Sequence, residues 1–257
     1  MTTHNHSSRC ILRSLCRQAG TSTCNPLCQS YISVHGHDGK GGRVSAAGVP
    51  ADYRYVTPDT SPVREAQPAA YRLIDAYTET FGRMFDGEAA ERIKSLYLFS
   101  ESPGTGKTTT AAALINEWIT VHYIGSIRRN RQAADRPAIF FDVNEFQTLY
   151  NGFNRPRIPD RIAEPFAEKY YSTMMDVMRA PFAVLDDIGV RDCTDGFRAD
   201  LHTIINERTA NGMPTVYTSN VPIADLADLY DARLADRVGD QCKEIYFVGT
   251  SKRGMRK

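Results

Sequence analysis

Long hydrophobic runs, an excess of one charge and a secretory leader are all missing from this sequence. No stretch of about 18 apolar residues occurs, so we expect no transmembrane helix and no membrane partner. Lysine and arginine number 31 against 30 acidic residues, which excludes a strongly basic nucleic-acid coat but not local basic patches. The first ten residues lack the apolar segment of a signal peptide. Charged residues make up 24% and hydrophobic residues 42%, which excludes a wholly disordered chain and predicts a cytoplasmic globular protein.

Disulfides are not expected either, because a chain without a leader keeps its cysteines as thiols or metal ligands. Four of the six cysteines and four of the six histidines lie in the first 50 residues. Apolar periodicity is weak there, so we expect this segment to bury little core and to need a metal, a partner or disorder. Cys193 and Cys242 stand alone and are interpreted as ordinary thiols.

Beyond a connector of residues 51–62, short apolar runs alternate with helical patterns. The predicted strands are Leu96–Phe99, Ala138–Val143, Phe182–Leu185 and Thr215–Thr218. The predicted helices are 63–84, Thr108–Trp118, 144–179 with a break at 154–159, and Phe197–Ala210. Alternating strands and helices predict an α/β fold with a parallel sheet covered on both faces. The expected domains are 1–50, 51–93 and 94–257.

A glycine-rich turn between the first strand and its helix has the pattern of a phosphate-binding P-loop. Glycines let backbone N–H groups face phosphate oxygens, and the helix N-terminus adds its dipole. Lys107 is expected to reach the β- and γ-phosphates of ATP, and the Thr108 hydroxyl to bind Mg²⁺. Glu101 stands where the full motif has glycine, so its carboxylate must turn outward. The predicted nucleotide-binding residues are Ser102, Pro103, Gly104, Thr105, Gly106, Lys107, Thr108 and Thr109.

Polar side chains end two further predicted strands. Asp186 and Asp187 follow Phe182–Leu185 in the arrangement called Walker B, where Asp186 holds Mg²⁺ and Asp187 polarises the attacking water. Glutamate is commoner at the second position, so the shorter Asp187 predicts slow hydrolysis. Asn220 ends the next strand and is expected to contact the γ-phosphate or the water, unless it only forms a turn.

These motifs together resemble the AAA+ family, and within it the helicase loaders of the DnaC/DnaI type, phage versions above all, and the IstB transposition ATPases. The resemblance runs from roughly Tyr53 onwards. Its residues are Pro103–Thr109, Val184–Gly189, Ile205–Arg208 and Pro214–Asn220.

The resemblance implies an ATPase core that assembles into an arc or ring, with each ATP between two protomers. A neighbour then supplies an arginine finger that neutralises transition-state charge. Arg237 matches the family position best, and Arg233 lies one helical turn earlier on the same face. The alternative is a pair of solvated arginines. Only 37 residues follow Asn220, so we expect no complete helical lid.

Zinc is the second expected metal. Cys10, Cys16, Cys24 and Cys28 offer four soft ligands in a short segment, and four thiolates bind Zn²⁺ tetrahedrally. His35 or His37 is an alternative to Cys10. The resemblance implies that such a module docks on the helicase, whereas the alternative is unligated thiols in a flexible arm.

Exposed basic and aromatic residues are candidates for contacting single-stranded DNA. The preferred interpretation is nonetheless solvated loops and helical core. The basic clusters are Arg128, Arg129, Arg131 and Arg136, then Arg155, Arg157 and Arg161, and a tail of Lys252, Arg253, Arg256 and Lys257. The aromatic candidates are Tyr150, Phe153, Tyr170 and Tyr171.

The favoured hypothesis is a loader that uses ATP and Mg²⁺ to place a hexameric replicative helicase on single-stranded DNA in a bacterial or phage-infected cell. One alternative is a transposition ATPase of the IstB type. Another is a regulatory protein that holds ATP with little hydrolysis, which Glu101 and Asp187 leave open.

Overall fold

A computed structural model describes residues 6–25, 27–87, 91–189 and 194–250 of the chain. Cys193 and the basic tail lie outside these residues. Five strands occur within them: β1 (Ser95–Phe99), β2 (Ile139–Asp142), β3 (Ala183–Asp186), β4 (Thr215–Ser219) and β5 (Cys242–Tyr246). They form one sheet in the order β2-β3-β4-β1-β5, and β1 pairs in parallel with both β4 and β5, as β3 does with β4. The predicted α/β fold is confirmed.

Burial explains which strands the sequence predicts. Every residue of β1, β3 and β4 is buried, so these strands are nearly unbroken apolar runs, as expected where both sheet faces are covered. The strand β5 was not predicted. It lies at the sheet edge and exposes Lys243 and Glu244, and charged side chains are typical of edge strands because they discourage further pairing.

Helices occupy most of the remaining described residues. They are α1 (Gln29–His35), α2 (Gly42–Ala46), α3 (Pro68–Glu79), α4 (Lys107–Arg128), α5 (Val143–Phe153), α6 (Asp160–Arg179), α7 (Asp195–Ala210), α8 (Leu226–Leu229) and α9 (Ala232–Gln241). The helix predicted over 63–84 is shorter than expected, because it begins at Pro68, whose missing N–H suits a first turn, and tightens into 3₁₀ turns over Thr80–Phe85. No described helix is long and apolar enough to cross a membrane.

The described residues form two compact units, and the division passes within α4 and β2. The first unit comprises residues up to 91 together with 112–140. Here the N-terminal segment buries more apolar side chains than its sequence predicts, since Ile11, Tyr31 and Val34 are almost fully inaccessible to solvent. The reason is irregular packing: the Thr120 hydroxyl donates to the Ile11 carbonyl, and the Phe140 N–H donates to the Ala47 carbonyl. The domain boundaries at residues 50 and 93 stay a prediction.

Arg43 ties the N-terminal segment to the residues that precede β2. Its guanidinium donates to the carbonyls of Ala133, at 2.9 Å, and Ala134, at 2.8 Å, and also to the Ser33 carbonyl. An arginine with five N–H donors satisfies several buried carbonyls at once. Arg43, which is 9% exposed, is therefore a structural clamp of the first unit.

The second unit comprises residues 92–111 and 141 onwards and holds most of the sheet. Its helices α5 and α6 approach closely at Gly152, where a Cβ would lie 2.4 Å from the Phe166 ring. Tyr170 is fully buried and stacks on Phe146 at 4.0 Å, with its hydroxyl donating to Asp200. Tyr170 is therefore core and cannot stack on DNA bases. The other aromatic candidates, Tyr150, Phe153 and Tyr171, all contact its ring.

Arg208, from the Ile205–Arg208 motif, has a structural role. The side chain is fully buried, and its guanidinium donates to the carbonyls of Val177, Ala180 and Pro214. These carbonyls end α6 and precede β4, so Arg208 satisfies backbone groups that the secondary structure leaves unpaired.

Candidate nucleotide site

The loop between β1 and α4 has the backbone of a phosphate cradle. Gly104 and Gly106 have φ of 72° and 106°, a region that residues with a Cβ rarely adopt, so glycine is required at both. The helix α4 begins at Lys107, which directs its first N–H groups towards the loop. Glu101 is exposed, as the phosphate-loop prediction requires.

Lys107 joins the phosphate loop to the end of β4. Its side chain is only 8% exposed, and Nζ donates to the Asn220 side-chain oxygen at 2.5 Å and to the carbonyls of Ser100 and Ser102 at 3.3 Å each. The structure thus brings together two predicted site residues that are far apart in sequence. The strand order accounts for this contact, because β4 lies between β1 and β3.

Asp186 lies at the end of β3 within reach of α4. Its carboxylate accepts hydrogen bonds from the Thr108 hydroxyl, at 3.2 Å, and from the Thr218 hydroxyl, at 2.7 Å. Burial raises the pKa of Asp186 to about 6, Asp142 and Asp187 raise it further, and the two hydroxyls oppose the rise. A hydroxyl beside a buried carboxylate forms the oxygen pair that Mg²⁺ prefers.

Asp187 is held in an unusual conformation. Its φ is 63°, its N–H donates to the Thr218 hydroxyl at 2.9 Å, and its carboxylate accepts from the Asn144 side chain at 3.2 Å. A non-glycine residue in this region costs energy and is found most often at functional sites. Asp187 is therefore oriented from both sides.

Asn144 and Thr218 are site residues that sequence reasoning missed. Asn144 follows β2 in the first turn of α5, whose N-cap is Asp142, so β2 ends in polar residues as β3 and β4 do. Polar residues after the β2 run could therefore have pointed to Asn144 as a site residue from the sequence alone. Thr218 gave no such signal, because a threonine inside a strand is ordinary and its contact with Asp186 depends on strand order.

The donor set fits a magnesium nucleotide. The loop amides and Lys107 suit phosphate oxygens, Thr108 and Asp186 suit Mg²⁺, and Asn220 already lies against Lys107. Ser102, Pro103, Thr105 and Thr109 complete the predicted cradle by position in the loop.

The two candidate finger arginines lie on the surface of α9. Arg233 and Arg237 are exposed on α9, whose other face buries Leu234 and Val238. Arg237 donates to the Asn206 side chain on α7. Both arginines are thus available on the surface, as a side chain that acts on a neighbouring protomer requires.

The N-terminal cysteines surround one small cavity. Cys10, Cys16, Cys24 and Cys28 all line it, together with His6. Within the described residues, no three His, Cys, Asp or Glu side chains are arranged to hold a metal ion. His35 is not available through Nε2, which accepts the Ile11 N–H at 3.1 Å, and burial lowers the pKa of His35 to about 4. His37 is exposed.

Neither a family model nor a curated protein matches the sequence. Solved structures do match. The DnaC helicase loader is 22% identical over 77% of this chain and 100% of the loader, with a TM-score of 0.54. A DnaI structure is 20% identical over 79% of this chain and 94% of its own, with a TM-score of 0.53. A putative primosome component from Streptococcus pyogenes is 21% identical over 82% and 97%, with a TM-score of 0.53. The chain therefore shares its fold with these proteins, which confirms the resemblance at the level of fold.

Asp186 allows a prediction about stability and pH. Its pKa rises on folding from 3.8 to about 6, so the carboxyl takes up a proton on folding between these values, and the ligand-free protein gains stability as the pH falls through about 6. The D186N substitution removes the buried charge. At pH 8 it should stabilise the ligand-free protein by up to about 3 kcal/mol in urea unfolding and reduce the pH dependence between 7 and 5.

D195N is the matched control, because Asp195 is a fully exposed carboxylate of the same unit and should change little. A D186N protein that is less stable than the parent at pH 8 would contradict the assignment of a destabilising buried charge.

Proposed function

We propose that this protein is an ATP-dependent loader of a hexameric replicative helicase. One observation carries the proposal: the phosphate loop, Asp186 and Asn220 are already linked through Lys107 and Thr108, within a fold shared with DnaC and DnaI. A phosphate loop alone would suit many nucleotide-binding proteins. The sensor position of Asn220, on a strand between the two Walker strands, is what favours an AAA+ ATPase.

The residues have separate roles in hydrolysis. Lys107 and the loop amides bind the triphosphate, Thr108 and Asp186 hold Mg²⁺, and bound Mg²⁺ supplies charge neutralisation at the phosphates. Asp187, oriented by Asn144, accepts a proton from the attacking water and aligns it. Asn220 leaves Lys107 for the γ-phosphate when nucleotide enters, because the lysine then has a stronger anionic partner.

Self-association completes the site. Arg237 lies on an exposed helix face, so in the proposed arc it reaches the nucleotide of the neighbouring protomer and stabilises the transition state. Arg233 lies on the same face one turn earlier and is the alternative finger. Loss of the finger should spare nucleotide binding, because the phosphate loop supplies the ground-state contacts.

Single-stranded DNA is proposed to contact the loop between α5 and α6 together with the first turn of α6, which holds Arg161 and is counted with the loop here. Arg155, Arg157 and Arg161 are all exposed, and Arg157 has a φ of 66°, an unusual conformation for a bulky residue. The basic cluster at the end of α4 is a weaker candidate, because its Arg129 already has contacts within the protein. Its guanidinium lies over the Phe85 ring at 4.3 Å and donates to the Gly125 carbonyl. Replacing the three loop arginines with serine should weaken oligonucleotide binding and its salt dependence in fluorescence anisotropy. Equal affinity for the oligonucleotide in the triple variant would refute the assignment of this loop as the DNA contact.

Zinc is proposed for the N-terminal cavity because four cysteines line it, and four thiolates are a common zinc ligand set. Binding requires these side chains to rearrange, since no three of them are arranged to hold a metal ion in the described part of the chain. Elemental analysis of the full chain should find about one zinc per chain. C24S should release it, whereas C242S should not, since Cys242 lies in β5. A full chain that is folded and free of metal after purification without chelators would end the zinc proposal.

The partner is tested by affinity purification of the tagged chain, with ATP present, from cells of its source. A hexameric replicative helicase should be the enriched protein, and K107A should recover less of it, because ATP binding orders the assembly. Recovery of a transposase instead would replace the loader with a transposition ATPase. Recovery of neither would leave a regulatory nucleotide-binding protein.

A further inference from the structure

A tyrosine next to the helix of the candidate finger bonds to the segment that follows Asp187. The Tyr230 hydroxyl donates to the Ile188 carbonyl at 2.8 Å. Tyr230 is the C-cap of α8 and directly precedes Asp231, and Ile188 directly follows Asp187. The bond therefore spans 42 residues of sequence. It joins the segment after Asp187, which is proposed to act on water, to the segment before α9, which holds the candidate finger.

The Ile188 end of this bond is rigid. Ile188 is fully buried, and its N–H donates to the Thr218 carbonyl at 3.0 Å. Gly189 packs so tightly that a Cβ there would lie 2.8 Å from the Ser219 hydroxyl oxygen. Asp187, whose φ is 63°, therefore lies next to a tightly packed residue, with little free space between it and the Ile188 carbonyl to absorb a backbone change.

The Tyr230 end of the bond fixes where α9 begins. Asp231 is the N-cap of α9: its carboxylate accepts the Leu234 N–H at 2.8 Å and also the His202 side chain at 2.8 Å. Leu234 and Val238 anchor the buried face, so the direction of the exposed arginines follows from this junction. Tyr230 directly precedes this N-cap, and Arg237 itself donates to Asn206 on α7.

We infer that Tyr230 is a positioning residue that couples the state of a protomer's own nucleotide site to the arginine it presents to its neighbour. The inference rests on the proposed function, in which Arg237 acts across the protomer interface. The Tyr230 hydroxyl transmits a backbone change at Asp187–Ile188 to α9, and one such bond sets an effect of about threefold to tenfold.

The test uses mixed assemblies in which each chain has one task. D187N chains keep the phosphate loop but lack the carboxylate proposed to accept a proton from water, so they bind nucleotide without hydrolysing it and still present Arg237. R237A chains have a sound phosphate loop but no finger. Their mixture should recover ATPase activity with helicase and DNA present. Donor chains with D187N and Y230F should then recover about threefold to tenfold less than D187N donors. Y230F in the R237A acceptor chain should lower the recovered ATPase activity less than Y230F in the donor chain. General destabilisation by Y230F would not produce this difference between donor and acceptor.

Y55F is the matched control in the donor, because the Tyr55 hydroxyl also donates to a backbone carbonyl, that of Gly39 at 2.9 Å, in the unit without the site. If Y230F donors recover as much activity as Y55F donors, the inference is overturned. A baseline mixture of D187N and R237A chains without activity, although both chains assemble, instead overturns the trans-acting finger of the proposed function.

Hydrogen exchange gives a readout that does not depend on the finger. Exchange of the α9 amides should change when Mg-ATP is added to the parent protein, and this change should be lost in Y230F although nucleotide binding persists. An equal response of α9 in both proteins would show that the hydroxyl carries no coupling. The baseline mixture could be inactive while the exchange response of α9 still depends on Tyr230. That result would reject Arg237 as the finger but keep the coupling through Tyr230.

Discussion

The hydrogen bond from Lys107 to the Asn220 side chain is the contact on which the arrangement of the site depends. It forms because β4 lies beside β1, so the carboxyl ends of both strands meet at one edge of a parallel sheet. The neighbouring β3 brings Asp186 to the same edge, where Thr108 and Thr218 hold its carboxylate. One topological fact, the insertion of β4 between β1 and β3, therefore brings Lys107, Asn220 and Asp186 to one edge of the sheet.

The site is assembled at an energetic cost that its ligand relieves. Asp186 is a buried carboxylate whose pKa is raised, and Asp187 has a backbone conformation that a non-glycine residue seldom adopts. A divalent cation supplies the positive charge that the buried carboxylate lacks. In the proposed function, part of the instability of the ligand-free site thus favours binding of a magnesium nucleotide.

The sequence predicts the centre of the fold better than its edges, for physical reasons. The strands β1, β3 and β4 are buried on both faces and so appear as apolar runs, whereas β5 exposes two charged side chains. Ile11 and Val34 are buried through short helices and 3₁₀ turns, which leave no regular period in the sequence. The phosphate loop was predictable because glycine is required at fixed spacing. The roles of Asn144, Thr218 and Tyr230 were not, because their partners are set by which strands and helices become neighbours.

Calorimetric titration with Mg-ATP tests the account most directly, because every proposed role assumes nucleotide in the loop that ends at Lys107. The parent protein should bind about one nucleotide per chain, and K107A should bind none that is measurable, while K243A, which alters an exposed lysine of the same unit, should bind as the parent does. Unchanged affinity in a folded K107A protein would contradict the central claim.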